Sequence, residues 1–294
     1  MWYYPAMPDK YSATWVSHSS LSDFRHCPRA YYLKNVYKSP TNGMKIQIMA
    51  PALALGSAVH TVLESLSVKP THERFTTSLQ AQFERVWKNF QGEKGGFSSK
   101  NQEAKFIDRG EKMLKNVIEN PGPLEKLAVK IKAELPQYWL SEEDEIMLSG
   151  KIDWLEYDKE RDGVTIIDFK TGSGREDAES LQLPIYHLLV HNLQNYDVLG
   201  AAYWYIEQSP APEARELPSI DDAHQAVLRE AKILKTARKL GHFKCPNGEN
   251  GCKHCLPLER ILKGEGKQIG VSFNRAVYIL PSVDDTMDFE VDLL

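Results

Sequence analysis

Residues 150–172 read Gly-Lys-Ile-Asp-Trp-Leu-Glu-Tyr-Asp-Lys-Glu-Arg-Asp-Gly-Val-Thr-Ile-Ile-Asp-Phe-Lys-Thr-Gly. Two apolar runs flank a polar loop, the pattern of a β-hairpin. Asp153 closes one apolar run, and Asp168 and Lys170 close the next; the strands are expected over Ile146–Tyr157 and Val164–Phe169. Side chains alternate along a strand, so residues 168 and 170 share a face. Two acids and an amine meeting at a strand end suit a divalent cation with a water beside it, the apparatus of metal-assisted phosphodiester cleavage.

Upstream of the hairpin, helical periodicity spans Ser20–Lys38, Gly56–Val68, Phe75–Phe90 and Asn101–Ile118, with Ser20 or Ser22 as the first N-cap and Pro40–Ala50 as a loop. Alternation over Ala128–Leu135 and Tyr138–Leu140 predicts further strands. Downstream, a helix over Ala178–Asn195 leads to an apolar strand, Val198–Ile206. A strand reached through a crossover helix runs parallel to the strand before it. A helix over Asp221–Leu240, a cysteine-bearing loop and a β-like stretch, Val271–Leu280, follow. The order predicts a mixed α/β core with a helical elaboration.

The chain has 294 residues, 42% apolar and 26% charged, with a net charge of −4. No apolar run approaches the roughly 20 residues that span a bilayer, and the start shows no secretory pattern. The expectation is a cytoplasmic protein with no membrane contact. A chain of this charge binds nucleic acid only through local basic surface. The richest stretch is Arg229–Lys244, which also reads as an ordinary solvated helix face. The acidic tail from Asp284 to Asp292 either masks such a surface or hangs free.

Two pairs have the i, i+4 spacing that shares a helix face: His60 with Glu64, and Gln182 with Tyr186. His60 offers a further metal ligand, with a margin histidine as the plain alternative. Pro184 argues that its helix begins close to Gln182. The four cysteines are Cys27, Cys245, Cys252 and Cys255, the last three as Cys-x6-Cys-x2-Cys in a Pro/Gly/Asn loop. Such spacing suits a structural zinc or a [4Fe–4S] cluster, and spacing alone does not separate them.

In order, these motifs resemble the RecB-like branch of the PD-(D/E)XK nucleases, and more closely its iron–sulfur exonucleases: CRISPR-associated adaptation exonucleases, the AddB nuclease domain and phage homologues. The likeness rests on Ser22-x4-Cys27-Pro-x2-Tyr31, Gly56-x3-His60, Gly150-x2-Asp153, Asp168-x-Lys170, Gln182-x3-Tyr186 and the C-terminal cysteines. It implies a restriction-endonuclease-like mixed β-sheet flanked by helices. The regions would be an N-terminal helical part (1–126), a nuclease core (127–210) and a C-terminal helix, cysteine cluster and tail (211–294), together one nuclease domain.

The resemblance also implies roles. His60, Asp153, Asp168 and the Phe169 carbonyl would bind Mg²⁺ or Mn²⁺, and Lys170 would be the catalytic lysine. Gln182 and Tyr186 would support the site, with Glu64 and Glu134 as accessory acids. The cysteines would hold a [4Fe–4S] cluster joining the two ends of the chain. Here Ile261 stands where the usual last cysteine falls, so Cys245 would replace it. The implied activity is a DNA exonuclease on single strands or duplex ends, in repair, recombination or CRISPR-type or phage DNA processing. A helicase or a recombination or adaptation protein is the implied partner. Read from the residues themselves, Tyr31, Tyr32 and Tyr37 could stack exposed bases, and packing in the core explains them as well. The alternatives are a silent nuclease-fold scaffold and a zinc-stabilised nucleic-acid-binding protein.

Overall fold

In the computed structural model, residues 9–131 and 135–281 are described. The first part runs β1 (Thr14–Val16), α1 (His18–His26), α2 (Pro28–Tyr31), β2 (Lys45–Ile48), α3 (Pro51–Glu64), α4 (Leu79–Trp87) and α5 (Lys100–Glu119). Next come β3 (Gln137–Ser141), β4 (Ile146–Ser149), β5 (Trp154–Asp158) and β6 (Gly163–Lys170). The remainder comprises α6 (Gln182–Leu193), β7 (Asp197–Tyr205), β8 (Glu213–Arg215), α7 (Ile220–Leu240), α8 (Leu256–Leu262), β9 (Lys267–Ser272) and β10 (Arg275–Ile279).

The central sheet has the order β5-β6-β7-β8. β5 and β6 form the antiparallel hairpin, with Trp154 opposite Ile167. β7 lies parallel to β6, as the crossover through α6 requires, with Asp168 beside Tyr203 and Lys170 beside Tyr205. Alternation along β6 divides two cores. Val164 and Ile166 pack with α6 and α7 on one face. Ile167 and Phe169 pack with Trp154, Trp204 and helices α3, α4 and α5 on the other. Helices on both faces explain why β6 is apolar almost throughout. Asp168 and Lys170 therefore lie on the α6 side.

A second sheet, β1-β4-β3, and a third, β2-β10-β9, flank this centre. The third packs with the cysteines: Ile46 and Tyr278 join Cys27, Cys245, Cys255 and Leu258 in a small core.

Several expected boundaries move. The run Ile146–Tyr157 splits into β4 and β5, which belong to different sheets. The backbone of Gly150 passes so close to α6 that a Cβ there would meet Leu189 Cδ1 at 2.8 Å. Asp153 therefore precedes β5 rather than closing a strand. The helix expected over Ser20–Lys38 breaks at Cys27, because Pro28 has no N–H for a continuous ladder and instead starts α2. A π-helical turn, Tyr32–Val36, follows. The first N-cap is Ser17, which forms a capping box with Ser20.

The expected loop Pro40–Ala50 contains β2, which pairs in parallel with β10. α3 begins at Pro51, well before Gly56, with proline in its favoured first position. Ala128–Leu135 makes no strand among the described residues. Ala128 bridges to Glu156, and the Val129 N–H donates to the Leu155 carbonyl. Glu134 and the acidic tail lie outside the described residues. α6 is shorter than expected, since Pro184 must sit in its first turn. The stretch Val271–Leu280 proves to be half of the β9–β10 hairpin.

Candidate active site and cysteine centre

At the head of the β5–β6 hairpin, the register carried one step beyond Trp154 sets Asp153 opposite Asp168. Asp153 Oδ2 accepts the Phe169 backbone N–H at 2.9 Å. Its Oδ1 lies 3.2 Å from His60 Nδ1. His60 and Glu64 share one face of α3, as their spacing predicts. Ligand atoms of His60, Glu64 and Asp153 all lie within 4.8 Å of one another. Glu64 is also paired with Lys151 at 2.5 Å. The Phe169 ring is wedged between Trp154 and Trp204 and meets His60 edge-on, which anchors the strand end.

Asp168 is 3% exposed. Its Oδ1 accepts from Gln182 Nε2 at 3.0 Å. Its Oδ2 lies 3.2 Å from Lys170 Nζ, yet it receives no aligned hydrogen bond among the described residues. Gln182 is fully engaged. Its Oε1 accepts from Lys170 at 2.5 Å, and Nε2 also donates to the Tyr186 hydroxyl at 3.2 Å. Pro184 leaves this intact, because Gln182 is the first residue of α6 and still faces Tyr186 one turn on.

The electrostatics describe a pocket with surplus negative charge. Burial penalises a charged His60, yet the Asp153 carboxylate beside it outweighs that and lifts the imidazole to about 9. Burial pushes the Asp168 carboxyl up to about 7, against the pull of Lys170. Asp153 faces the same burial but stays below the usual carboxylate range because His60 and the Phe169 N–H hold its charge. Carboxylates gathered around a basic imidazole are the chemistry of a hard-cation site. The donors brought together are His60, Glu64 and Asp153, a set that fits Mg²⁺ or Mn²⁺; Asp168, expected as a ligand, stands opposite Asp153 in the hairpin but outside this group. Such an ion would supply an activated water and neutralise phosphate charge.

The cysteines also converge. The four Sγ atoms lie within 4.8 Å of one another. Cys255 Sγ is 3.8 Å from both Cys252 Sγ and Cys245 Sγ. Cys27 caps α2, and Cys255 begins α8, so the group ties the N-terminal helices to the segment after α7. A zinc ion at 2.3 Å from four thiolates spaces them about 3.8 Å apart along the edges of a tetrahedron. A four-iron cluster binds each thiolate to a different iron and spreads them wider.

One expectation fails. Tyr31 is buried, 1% exposed, with its hydroxyl accepting from Arg238, so it cannot stack a base. Tyr32 and Tyr37 pack against the cysteine core. Much of the basic stretch is also committed. Lys232 pairs with Asp144 at 2.8 Å, and Lys235 with the Asp144 carbonyl and Glu145, pinning α7 to the β3–β4 turn.

Sequence reasoning missed Glu176, whose Oε2 lies 2.7 Å from Lys170 Nζ. It sits in the polar segment Ser173-Gly-Arg-Glu-Asp177, where no periodicity marks one acid above another. It also missed His18, 3.9 Å from Glu176 Oε1.

Among curated proteins, none matches the chain. The family model of the PD-(D/E)XK nuclease superfamily matches residues 15–258. That span runs from the first described strand through the hairpin acids to the helix after the last cysteine. With a mixed sheet and the paired acids and lysine at the head of one hairpin, the chain belongs to the PD-(D/E)XK nuclease superfamily, whose members are usually metal-dependent nucleases.

Proposed function

We propose that this protein is a Mg²⁺- or Mn²⁺-dependent deoxyribonuclease, an exonuclease acting on single-stranded DNA or duplex ends. The observation that carries the reading is the convergence of His60, Glu64 and Asp153, whose ligand atoms lie within 4.8 Å of one another at the hairpin head where the buried Asp168 stands opposite Asp153. Asp168 Oδ2 is ion-paired with Lys170 Nζ at 3.2 Å, but that ammonium is held more closely by Glu176 and Gln182, so the buried charge is only partly compensated and a metal cation would complete it. His60, Asp153 and Asp168, with the Phe169 carbonyl, would hold the ion; Glu64 would stand by as an accessory acid. Lys170 directs its ammonium to the attacking water or the phosphate oxygen, where charge develops. Gln182 holds both Lys170 and Asp168, so one carboxamide sets the spacing between the ammonium and the carboxylate. Tyr186 holds Gln182.

The cysteine centre is a structural staple between residues far apart in the chain. The resemblance implies a [4Fe–4S] cluster, whereas the 3.8 Å thiol separations favour the single tetrahedral ion, Zn²⁺. Residues 1–126, 127–210 and 211–294 act as one nuclease unit, with any unwinding left to a helicase or recombination partner. The protein is expected to work in the cytoplasm; no helix among the described residues is long and apolar enough to cross a membrane.

The test is degradation of end-labelled single- and double-stranded DNA with Mn²⁺, Mg²⁺ or chelator. Wild type should shorten DNA progressively from an end, and Asp153→Asn, Asp168→Asn and Lys170→Ala should not. Closed circular single-stranded DNA should survive. Cutting of the circle would replace the exonuclease reading with an endonuclease, and activity in all three variants would remove the site assignment.

A further inference from the structure

The Lys170 ammonium is shared among three acceptors from three places in the chain. Glu176 Oε2 is 2.7 Å away, Gln182 Oε1 2.5 Å and Asp168 Oδ2 3.2 Å. An ammonium has three N–H bonds, so these acceptors compete for its donors. They are not equivalent. The contacts to Glu176 and Gln182 are short and aligned, whereas Asp168 Oδ2 receives no aligned hydrogen bond among the described residues. Lys170 leans away from the buried ligand carboxylate and toward residue 176.

Glu176 is held where it can do this. Its backbone N–H donates to the Tyr205 hydroxyl at 3.1 Å. Gln208 Nε2 donates to the Ser173 carbonyl at 2.9 Å, and Arg175 pairs with Glu213. On the other side, Arg25 of α1 donates to the Glu179 carbonyl at 3.1 Å. The segment between β6 and α6 is thus fastened at both flanks, and its carboxylate is a fixed anchor rather than a passing surface charge. Its side chain is 18% exposed, so solvent screens it only in part.

We infer that Glu176 is a positioning residue of the cation site: by holding the Lys170 ammonium, it keeps Asp168 Oδ2 open as a metal ligand. The inference rests on the proposed ion site at His60, Asp153 and Asp168. Neutralise Glu176, and the strongest remaining partner of the ammonium is Asp168. The lysine then settles on Oδ2, and an incoming ion must first break a buried ion pair.

The experiment measures Mn²⁺ binding directly, from the electron paramagnetic resonance of the free ion. The proteins are wild type, Glu176→Gln, Glu176→Asp, Lys170→Met, the Glu176→Gln/Lys170→Met double variant, and Asp168→Asn. Glu176→Gln should bind Mn²⁺ about ten-fold more weakly, the scale of one charge-assisted hydrogen bond. Glu176→Asp, one methylene shorter, should lie between it and wild type, and it serves if the glutamine variant does not fold. Lys170→Met should bind at least as tightly as wild type, and adding Glu176→Gln to it should change little. This is a double-mutant cycle, in which a lost competitor appears as coupling. Wild-type binding by Glu176→Gln overturns the inference. So does a loss with Lys170 absent that reaches half the loss with it present, since Glu176 would then act by its own charge or by shaping the loop. If wild type shows no Mn²⁺ site that Asp168→Asn removes, the ion-site reading itself falls, a result separate from the other two.

Discussion

Replacing Asp168 by Asn should stabilise the ion-free protein at alkaline pH while abolishing nuclease activity. Burial holds the Asp168 carboxyl at about 7 in the folded chain, against about 3.9 in an unfolded one. The folded state therefore binds this proton more tightly than the unfolded state does. The Asp168 contribution to stability is greatest below about pH 4, is lost as pH rises toward 7 and stays lost above it. Three pKa units at 1.36 kcal/mol each set a ceiling of about 4 kcal/mol on the cost at pH 8. Asparagine removes the charge and can still accept from Gln182 Nε2 through its own Oδ1. It also turns an N–H toward the Lys170 ammonium, an unfavourable contact that offsets about 2 kcal/mol. The net gain at pH 8 is about 2 kcal/mol, or a melting temperature higher by about 3 °C for a chain of this size. At pH 5 the gain should vanish, because the wild-type carboxyl is then protonated. The assay is thermal and urea unfolding of chelator-treated wild type and variant at pH 5 and 8, with and without Mn²⁺. Mn²⁺ should raise the stability of wild type alone. If Asp168→Asn destabilises the protein equally at both pH values, the account of a strained, cation-seeking carboxylate is wrong.

Other consequences are as direct. His60→Ala should raise the Mn²⁺ concentration needed for half-maximal DNA cleavage, while Lys170→Ala should lower the rate at saturating Mn²⁺ by about 10²–10⁴-fold; the opposite pattern in a metal titration would exchange their roles. Elemental analysis should find one zinc per chain in a colourless sample and none in Cys255→Ser; four irons with visible absorption would assign the four-iron cluster instead. Gly110→Ala should destabilise by about 1–3 kcal/mol in urea despite alanine's better helix propensity, because the new Cβ would meet the buried Phe83 ring at 2.3 Å. Burial lowers His18 to about 4, with Lys170, Arg25 and His26 pushing the same way and Glu176 opposing. Its unfolded value is higher, so the native state loses stability as pH falls from about 6.5 through 4, at no more than about 1.4 kcal/mol per pH unit. His18→Asn should flatten that part of the urea-stability profile.

Much of the site was legible in local sequence because strand and helix periodicities state which side chains share a face. The period of two placed Asp168 and Lys170 together on one side of β6 and Phe169 in the opposite core, as found. The i, i+4 pairs His60–Glu64 and Gln182–Tyr186 also meet on their helices, even with Pro184 between the second pair. The crossover made β7 parallel to β6 through the handed geometry of a strand–helix–strand unit. These features need only the covalent geometry of neighbouring residues.

The rest depended on partners distant in the chain. His60 reaches Asp153 across 93 positions, and nothing near either residue names the other. β2 looked like a loop because its partner strand, β10, lies more than 200 residues further along the chain. The Ile146–Tyr157 run looked continuous, since the need to leave one sheet for another comes from α6 pressing on Gly150. Glu176 carried no signal at all: its role exists only because Tyr205, Gln208 and Arg25 fasten its loop over Lys170. Periodicity specifies the face a side chain presents; long-range packing specifies what that face meets, and the chemistry of this site lies in those meetings.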